Sequence, residues 1–301
     1  MTRIRSVVAA TDLSAPARRA VDRAARLARA ESASLTLVHA VNASMLNELR
    51  RWLDTGEDVE RSIVEDVQAR LRQLAGEIGA RYQIPVSQRA VTGRPIDEVA
   101  RVGEEFNADL IVTGTLGGGP FRSHLIGSTA ERIVRKSAKP VLMVRQLAHE
   151  PYRRALVALD FSRWSTASLA VAAAVAPEAH YVLIHCVNVP FEGRMQLAGV
   201  SERALEKYRT DARDEAQRGL AELAAQSGLP NSRWSAITPT RLDPWMGIVQ
   251  QEQEQDCDLI VVGKHGRNAV EELLLGSTTN MVIAESSCDV LISTDTDTPS
   301  R

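Results

Sequence analysis

The sequence predicts an α/β protein built from two repeated, doubly wound domains. Three observations carry that prediction. Short runs rich in Val, Ile and Leu alternate with helical patterns along the chain. The second half echoes the first: "IRSVVAATDLS" recurs as "RRALVALDFS", "LTLVHAVN" as "YVLIHCVN", and "ADLIVTGTLG" as "CDLIVVGKHG". The chain has 301 residues, enough for two cores of about 145 residues that fold without staples.

In the first half, strands are expected near 4–11, 35–41, 86–91, 109–113 and 140–144. Their apolar residues fall on both faces, as in buried parallel strands. Ser14 is expected to cap the helix after the first strand, with Pro16 tolerated in its first turn. Residues 57–83 place Val59, Ile63, Val64, Val67, Leu71, Leu74 and Ile78 at spacings of three and four. That is one apolar stripe facing a sheet. The second half gives strands near 154–160, 180–187, 233–238, 258–263 and 289–293. Strand–helix alternation in each half implies a parallel sheet with right-handed crossovers. Domains are expected at 1–147 and 151–295, with "RQLAHEPYR" (145–153) as linker and 296–301 as a flexible tail.

Composition excludes several classes. The net charge is −2 with both signs interspersed, so no basic nucleic-acid surface is expected. Cys186, Cys257 and Cys288 are odd in number and form no CxxC pair. That disfavours a disulfide frame or zinc ribbon and fits a reducing compartment, the cytoplasm. No apolar run reaches 18 residues, so no membrane span is expected. "MTRIRSVVAATD" enters a strand at once, without a signal-peptide pattern.

The functional signal is a glycine pattern. Gly114, Gly117 and Gly127 are followed by Ser128 and Thr129; Gly263, Gly266 and Gly276 are followed by Ser277 and Thr278. In each half a strand runs into the first glycine, and a helix starts at the serine. The first two glycines are expected to let the chain turn sharply and present bare amides. The serine is expected to be the helix N-cap, and amides at a positive helix end suit a phosphate. With glycine at about 7% of residues, such spacing arises by chance in about one chain in a hundred of this length. No G-x-x-x-x-G-K-[ST] occurs, and the first strand ends in "ATDLSAP" rather than G-x-G-x-x-G.

On these motifs the sequence resembles a tandem universal stress protein of the ATP-binding type. The resemblance rests on the acidic end of the first strand, on "VHAVN" and "IHCVN", and on the G-x2-G-x9-G-[ST] pattern in both halves. It implies five-stranded parallel sheets ordered 3-2-1-4-5, with a nucleotide at the carboxyl ends of strands one and four. By matching motif, Asp12 and Asp160 lie beside adenine and ribose, and Val41 and Val187 meet the adenine. Gly114, Gly117, Gly127, Ser128 and Thr129 then hold ribose and phosphates in the first half. Gly263, Gly266, Gly276, Ser277 and Thr278 do so in the second. Helix capping is the other role open to Asp12 and Asp160. The implied ligand is ATP, with Mg²⁺ arriving on the nucleotide. The family's single-domain members pair through strand five. "KPVLMVR" and "CDVLIST" are therefore expected to form an internal pseudo-dimer, and a homodimer of chains is left open.

The implied role is a stress-response sensor or signalling module. The alternatives are a slow Mg-dependent ATPase and a nucleotide-free scaffold. The sequence offers no evident base, acidic metal cluster or Walker lysine, so weak turnover at most is expected. The paired His39 and His185 are read as structural. Arg122, His124, Lys264, His265 and Arg267 fit either phosphate neutralisation or exposed loops. Gly93, after the third strand, has no counterpart in "TPTRLDPWMG", where Trp245 either narrows the pocket or packs on helices. Segments 42–56 and 188–200 read as variable connectors.

Overall fold

The computed structural model describes residues 3–52, 56–115, 128–188, 192–240, 242–266 and 275–294. The first repeat runs β1 (Ser6–Ala10), α1 (Ala15–Glu31), β2 (Ser34–Asn42), α2 (Ala43–Trp52), α3 (Gly56–Tyr82), β3 (Val86–Gly93), α4 (Pro95–Glu105), β4 (Leu110–Gly114), α5 (Ser128–Lys136) and β5 (Val141–Val144). The second runs β6 (Arg154–Ala158), α6 (Ser165–Val175), β7 (His180–Ile184), α7 (Glu192–Leu197), α8 (Glu202–Gln226), β8 (Trp234–Ile237), α9 (Pro244–Glu254), β9 (Leu259–Gly263), α10 (Ser277–Glu285) and β10 (Asp289–Ser293).

The strands form one ten-stranded sheet in the order β3-β2-β1-β4-β5-β10-β9-β6-β7-β8. Each half has the 3-2-1-4-5 order and is parallel throughout. The halves join at their fifth strands, antiparallel, with Val290 opposite Met143 and Ile292 opposite Val141. Alternation along the strands feeds two cores. Val7 and Ala9 lie in the layer with α1 residues and with Leu71 and Ile78 of α3; Val8 lies in the layer with Val99 of α4 and Ile133 of α5. Small residues dominate the buried stripe of α1, among them Ala17, Ala20, Ala24 and Ala28. Ser14 caps this helix, accepting from the Ala17 amide at 3.3 Å, with Pro16 in the first turn.

The repeated "DLIV" has a structural meaning. Asp109 accepts from the amides of Arg5 (2.7 Å) and Ser6 (3.1 Å), and Asp258 from those of Arg153 (2.8 Å) and Arg154 (3.0 Å). Each carboxylate holds the chain as it enters the central strand of its repeat. Two histidines do the same at the opposite end. His39 Nδ1 donates to the Thr11 carbonyl at 2.9 Å, and His185 Nδ1 to the Leu159 carbonyl at 2.7 Å. A carbonyl only accepts, so the proton sits on Nδ1 in both.

Segment 145–153 is a strap. Asp289, fully buried at the start of β10, accepts from the amides of Arg145 (2.8 Å) and Gln146 (3.0 Å) and from the Tyr152 hydroxyl (2.6 Å). Arg23 of α1 approaches the same carboxylate at 3.4 Å, lies over the Tyr152 ring and donates to the Glu150 carbonyl. The segments 42–56 and 188–200, read as variable connectors, carry α2 and α7. Arg209 of α8, buried, pairs with Glu192 of α7 and with Glu202 and Glu206. The tail 296–301 lies outside the described residues.

Two expectations follow. Replacing Asp289 by Ala strands Arg23 and three donors; it lowers stability by about 3–5 kcal/mol, read from urea titration. Burial holds the His39 imidazole below its ordinary value, so the unfolded chain takes up the proton first. The His39 contribution to stability is complete above about pH 6.5 and is lost as pH falls through the folded value. His39→Asn, which keeps a donor for Thr11, flattens the stability loss between about pH 7.5 and pH 5.5 relative to wild type, read from urea midpoints.

Candidate functional site at the strand crossovers

In both repeats the chain kinks as it leaves the central strand. Leu13 (φ 62°) and Phe161 (φ 60°) occupy the left-handed region at matching places. A residue with a Cβ pays about 1–2 kcal/mol to sit there. Local bonds hold the kink. Asp12 Oδ1 accepts from the Ser14 amide at 3.0 Å, and Asp160 Oδ1 from the Ser162 amide at 2.9 Å. Ser165 Oγ adds a bond to Asp160 at 3.3 Å, and the Phe161 ring lies 4.3 Å from that of His185. Asp12 and Asp160 therefore close turns ahead of a helix, which fixes where each carboxylate stands.

The second repeat shows the glycine segment on both sides of the undescribed 267–274. Gly263 ends β9, and its carbonyl accepts from Thr279 Oγ1 at 2.7 Å. The Gly276 amide donates to the Lys264 carbonyl at 3.1 Å. Gly276, not Ser277, is the N-cap of α10; Ser277 is its first helical residue. The reason is that a backbone amide–carbonyl bond fixes the residue before the serine. The first intrahelical bond runs from Asn280 N to Gly276 O at 2.9 Å. The amides of Ser277, Thr278 and Thr279 precede it and lie at the positive helix end.

Neither Gly263 nor Gly266 has a left-handed φ, so the expected sharp turn does not explain them; Gly276 has none either. Among the described residues, a Cβ on Gly266 meets nothing nearer than Asp160 Oδ2 at 4.0 Å, and on Gly276 the nearest atom is 3.6 Å away. Both lack side chains where the described residues leave room for them. The result is bare backbone facing the Asp160 carboxylate.

These elements border a cleft of about 770 Å³ at the carboxyl ends of β6 and β9. One end is polar, with Asp160, His265, Gly266, Gly276, Ser277 and Thr278. The other is apolar, with Ala158, Ile184, Cys186, Ile248 and Val262. Trp164, Ser165 and Ser168 of the α6 side complete the wall. Val187 is not among the lining residues. Its side chain clusters with Ala216, and its amide donates to the Pro239 carbonyl at 2.8 Å. The strand-two wall is instead His185 and Cys186.

Two basic residues of the segment part company. His265 lines the cleft, its ring 6.1 Å from that of Trp164. Lys264 points away: its Nζ is buried and donates to the Ser137 carbonyl of the first repeat at 2.8 Å. Arg122, His124 and Arg267 lie outside the described residues. Trp245 packs on the core under α9, and its neighbour Pro244 borders the cleft.

Each repeat has a closely packed glycine near this helix, α4 or α9. A Cβ on Gly93 falls 2.7 Å from Glu98 Cγ; a Cβ on Gly247, the residue matching Glu98, falls 2.9 Å from Cys186 Sγ. Only Glu98 and Gly247 are matching positions; Cys186 matches Ala40 and Gly93 matches Leu242, so these are two separate close contacts. Burial pushes the Cys186 thiol up to about 11 and that of Cys257 to about 12, so both stay protonated near neutrality.

In the first repeat, Asp12 and Gly114 end or follow the matching strands, and Val41 pairs with Thr92 of β3. Ser128 and Thr129 open α5. Gly117 and Gly127 lie outside the described residues. Sequence reasoning missed Trp164, Ser168 and Cys186. Their signal was divergence between halves, where the matching residues are Pro16, Ala20 and Ala40.

Among the described residues no helix is long and apolar enough to cross a membrane. The universal stress protein family model matches residues 3–145 and 151–293. Universal stress protein Rv2005c of Mycobacterium tuberculosis is 28% identical over 270 residues, 86% of each chain. Universal stress protein Rv2623 of the same organism is 26% identical over 282 residues, 90% of each. A crystal structure of a universal stress protein from Archaeoglobus fulgidus matches with a TM-score of 0.70 at 22% identity over 98% of both chains, a likeness of fold. The chain belongs to the universal stress protein family and carries two copies of its domain in tandem.

Proposed function

We propose that this chain binds ATP and acts as a nucleotide-dependent sensor or signalling module in a stress response. The observation that carries the reading is the bare backbone at Gly266, facing Asp160 and next to Gly276 at the positive end of α10. Amides without side-chain cover suit phosphate oxygens. The apolar end suits a flat base. The cleft's volume of about 770 Å³ is within the usual range for a small-molecule site.

In this reading Asp160 bonds the ribose or the adenine amine. Val187, which does not line the cleft, drops out of the set. Gly263, Gly266, Gly276, Ser277 and Thr278 take ribose and phosphates, and Asp12, Val41, Gly114, Gly117, Gly127, Ser128 and Thr129 are the first-repeat set. Mg²⁺ arrives with the nucleotide, near the hydroxyls of Ser128 and Ser277. Domains of 1–147 and 151–295 each carry one site. Lys264 is engaged elsewhere and supplies no charge to a leaving phosphate, so binding outweighs turnover. Occupancy favours one arrangement of the glycine segment and so alters the surface a partner meets. Unpaired thiols suit a reducing cytoplasm.

Equilibrium binding of ATP beside single-turnover hydrolysis tests this. Binding with little turnover is expected; fast turnover selects an ATPase, and no binding selects a scaffold. Gly266→Val has room in the fold, so its melting temperature stays within about 2 °C of wild type. It fills the floor of the cleft and weakens ATP binding there at least about tenfold.

A further inference from the structure

We propose that Lys264 is a positioning residue of the second cleft, and that the first repeat supplies the anchor holding its phosphate-facing segment. This rests on the nucleotide reading above. Lys264 stands between Gly263 and the cleft-lining His265, and three of its polar groups are engaged. Its amide donates to the Ser293 carbonyl at 2.9 Å, which ties the exit of β9 to the end of β10. Its carbonyl accepts from the Gly276 amide at 3.1 Å, which ties the same exit to the N-cap of α10. Its ammonium crosses the seam between repeats and donates to the Ser137 carbonyl at 2.8 Å. The residue is only 7% exposed.

The anchor is itself fixed. Ser137 follows α5, and its amide donates to the Ile133 carbonyl at 2.8 Å. Its hydroxyl donates to the Lys139 carbonyl at 2.8 Å and accepts from the Lys139 amide at 3.0 Å. The ammonium thus meets the negative end of a helix belonging to the other repeat. The placement of Gly263–Gly266 against the amides of α10 is set across the seam. The device belongs to one repeat. The residue after Gly114 is Thr115, whose side chain is too short to span such a gap.

Lys264 is not a lining residue of the cleft, so its effect reaches a ligand through the backbone it holds. That backbone is at the polar end. The apolar end, with Ile184, Cys186 and Ile248, stands on other elements. Loosening the segment therefore penalises a ligand in proportion to its phosphates and spares a bare nucleoside.

The test uses the full chain with Lys264→Met and Lys264→Arg, and counts as second-cleft binding the part that Gly266→Val removes. Lys264→Met is expected to weaken ATP at least about tenfold while adenosine stays within about twofold of wild type. Lys264→Arg restores ATP to within about threefold of wild type. Without any ligand, amide exchange in 276–279 rises at least about tenfold in Lys264→Met, with β1 and β6 unchanged. Equal losses for ATP and adenosine, no loss for either, or unchanged exchange overturns the proposal. If wild type binds neither ligand, the nucleotide reading fails, and the exchange measurement still judges the anchor. Should Lys264→Met fail to fold, Lys264→Thr, which copies the first repeat, takes the same tests.

Discussion

The structure depends on one contact, the antiparallel pairing of β5 with β10 locked by the buried Asp289. A parallel five-stranded sheet leaves an unpaired edge beyond its fifth strand, and an open edge is a liability. Here each repeat closes that edge of the other. The register is short, from Val141 to Met143 on one side and Val290 to Ile292 on the other. Asp289 adds what the short register lacks. Its two oxygens gather the strap, Tyr152 and Arg23 into one buried network. Such a group is stabilising while its partners stay in place and costly when one is removed.

The seam also brings the ends of two helices onto the opposite repeat. The Lys264 ammonium reaches the carbonyl that follows α5, and the Arg145 guanidinium reaches the Ile283 carbonyl of α10. Both helices begin at a Gly-Ser-Thr crossover. Each therefore has its positive end at a candidate ligand site and its negative end met by a cation from the other half. The two repeats thus share one sheet and trade cations across its seam.

The repeats keep their frame and diverge in their walls. The kinks at Leu13 and Phe161, the histidine bonds to the central strand and the Asp109 and Asp258 clasps are duplicated. Gly93 against Glu98 and Gly247 against Cys186 each set a small residue against a larger one, as close packing requires. Pro16 against Trp164 and Thr115 against Lys264 are not compensated in kind. The second cleft thereby gains an aromatic wall and a cross-seam anchor.

Sequence alone determined the strands, the long helices, the duplication and the parallel order, though not α2 and α7. Buried strands must be apolar on both faces, and crossover helices must carry one stripe, so both patterns are written locally. The glycine spacing was equally plain, because it recurs in both halves. The reason for it was not. Gly263 and Gly266 read as turn residues, and neither has a left-handed φ. The direction of Lys264, the withdrawal of Val187 from the cleft and the strap around Asp289 were decided by tertiary structure. Each depends on which of two possible neighbours, far apart in the chain, lies nearer once the sheet has closed, and local pattern carries no record of that distance.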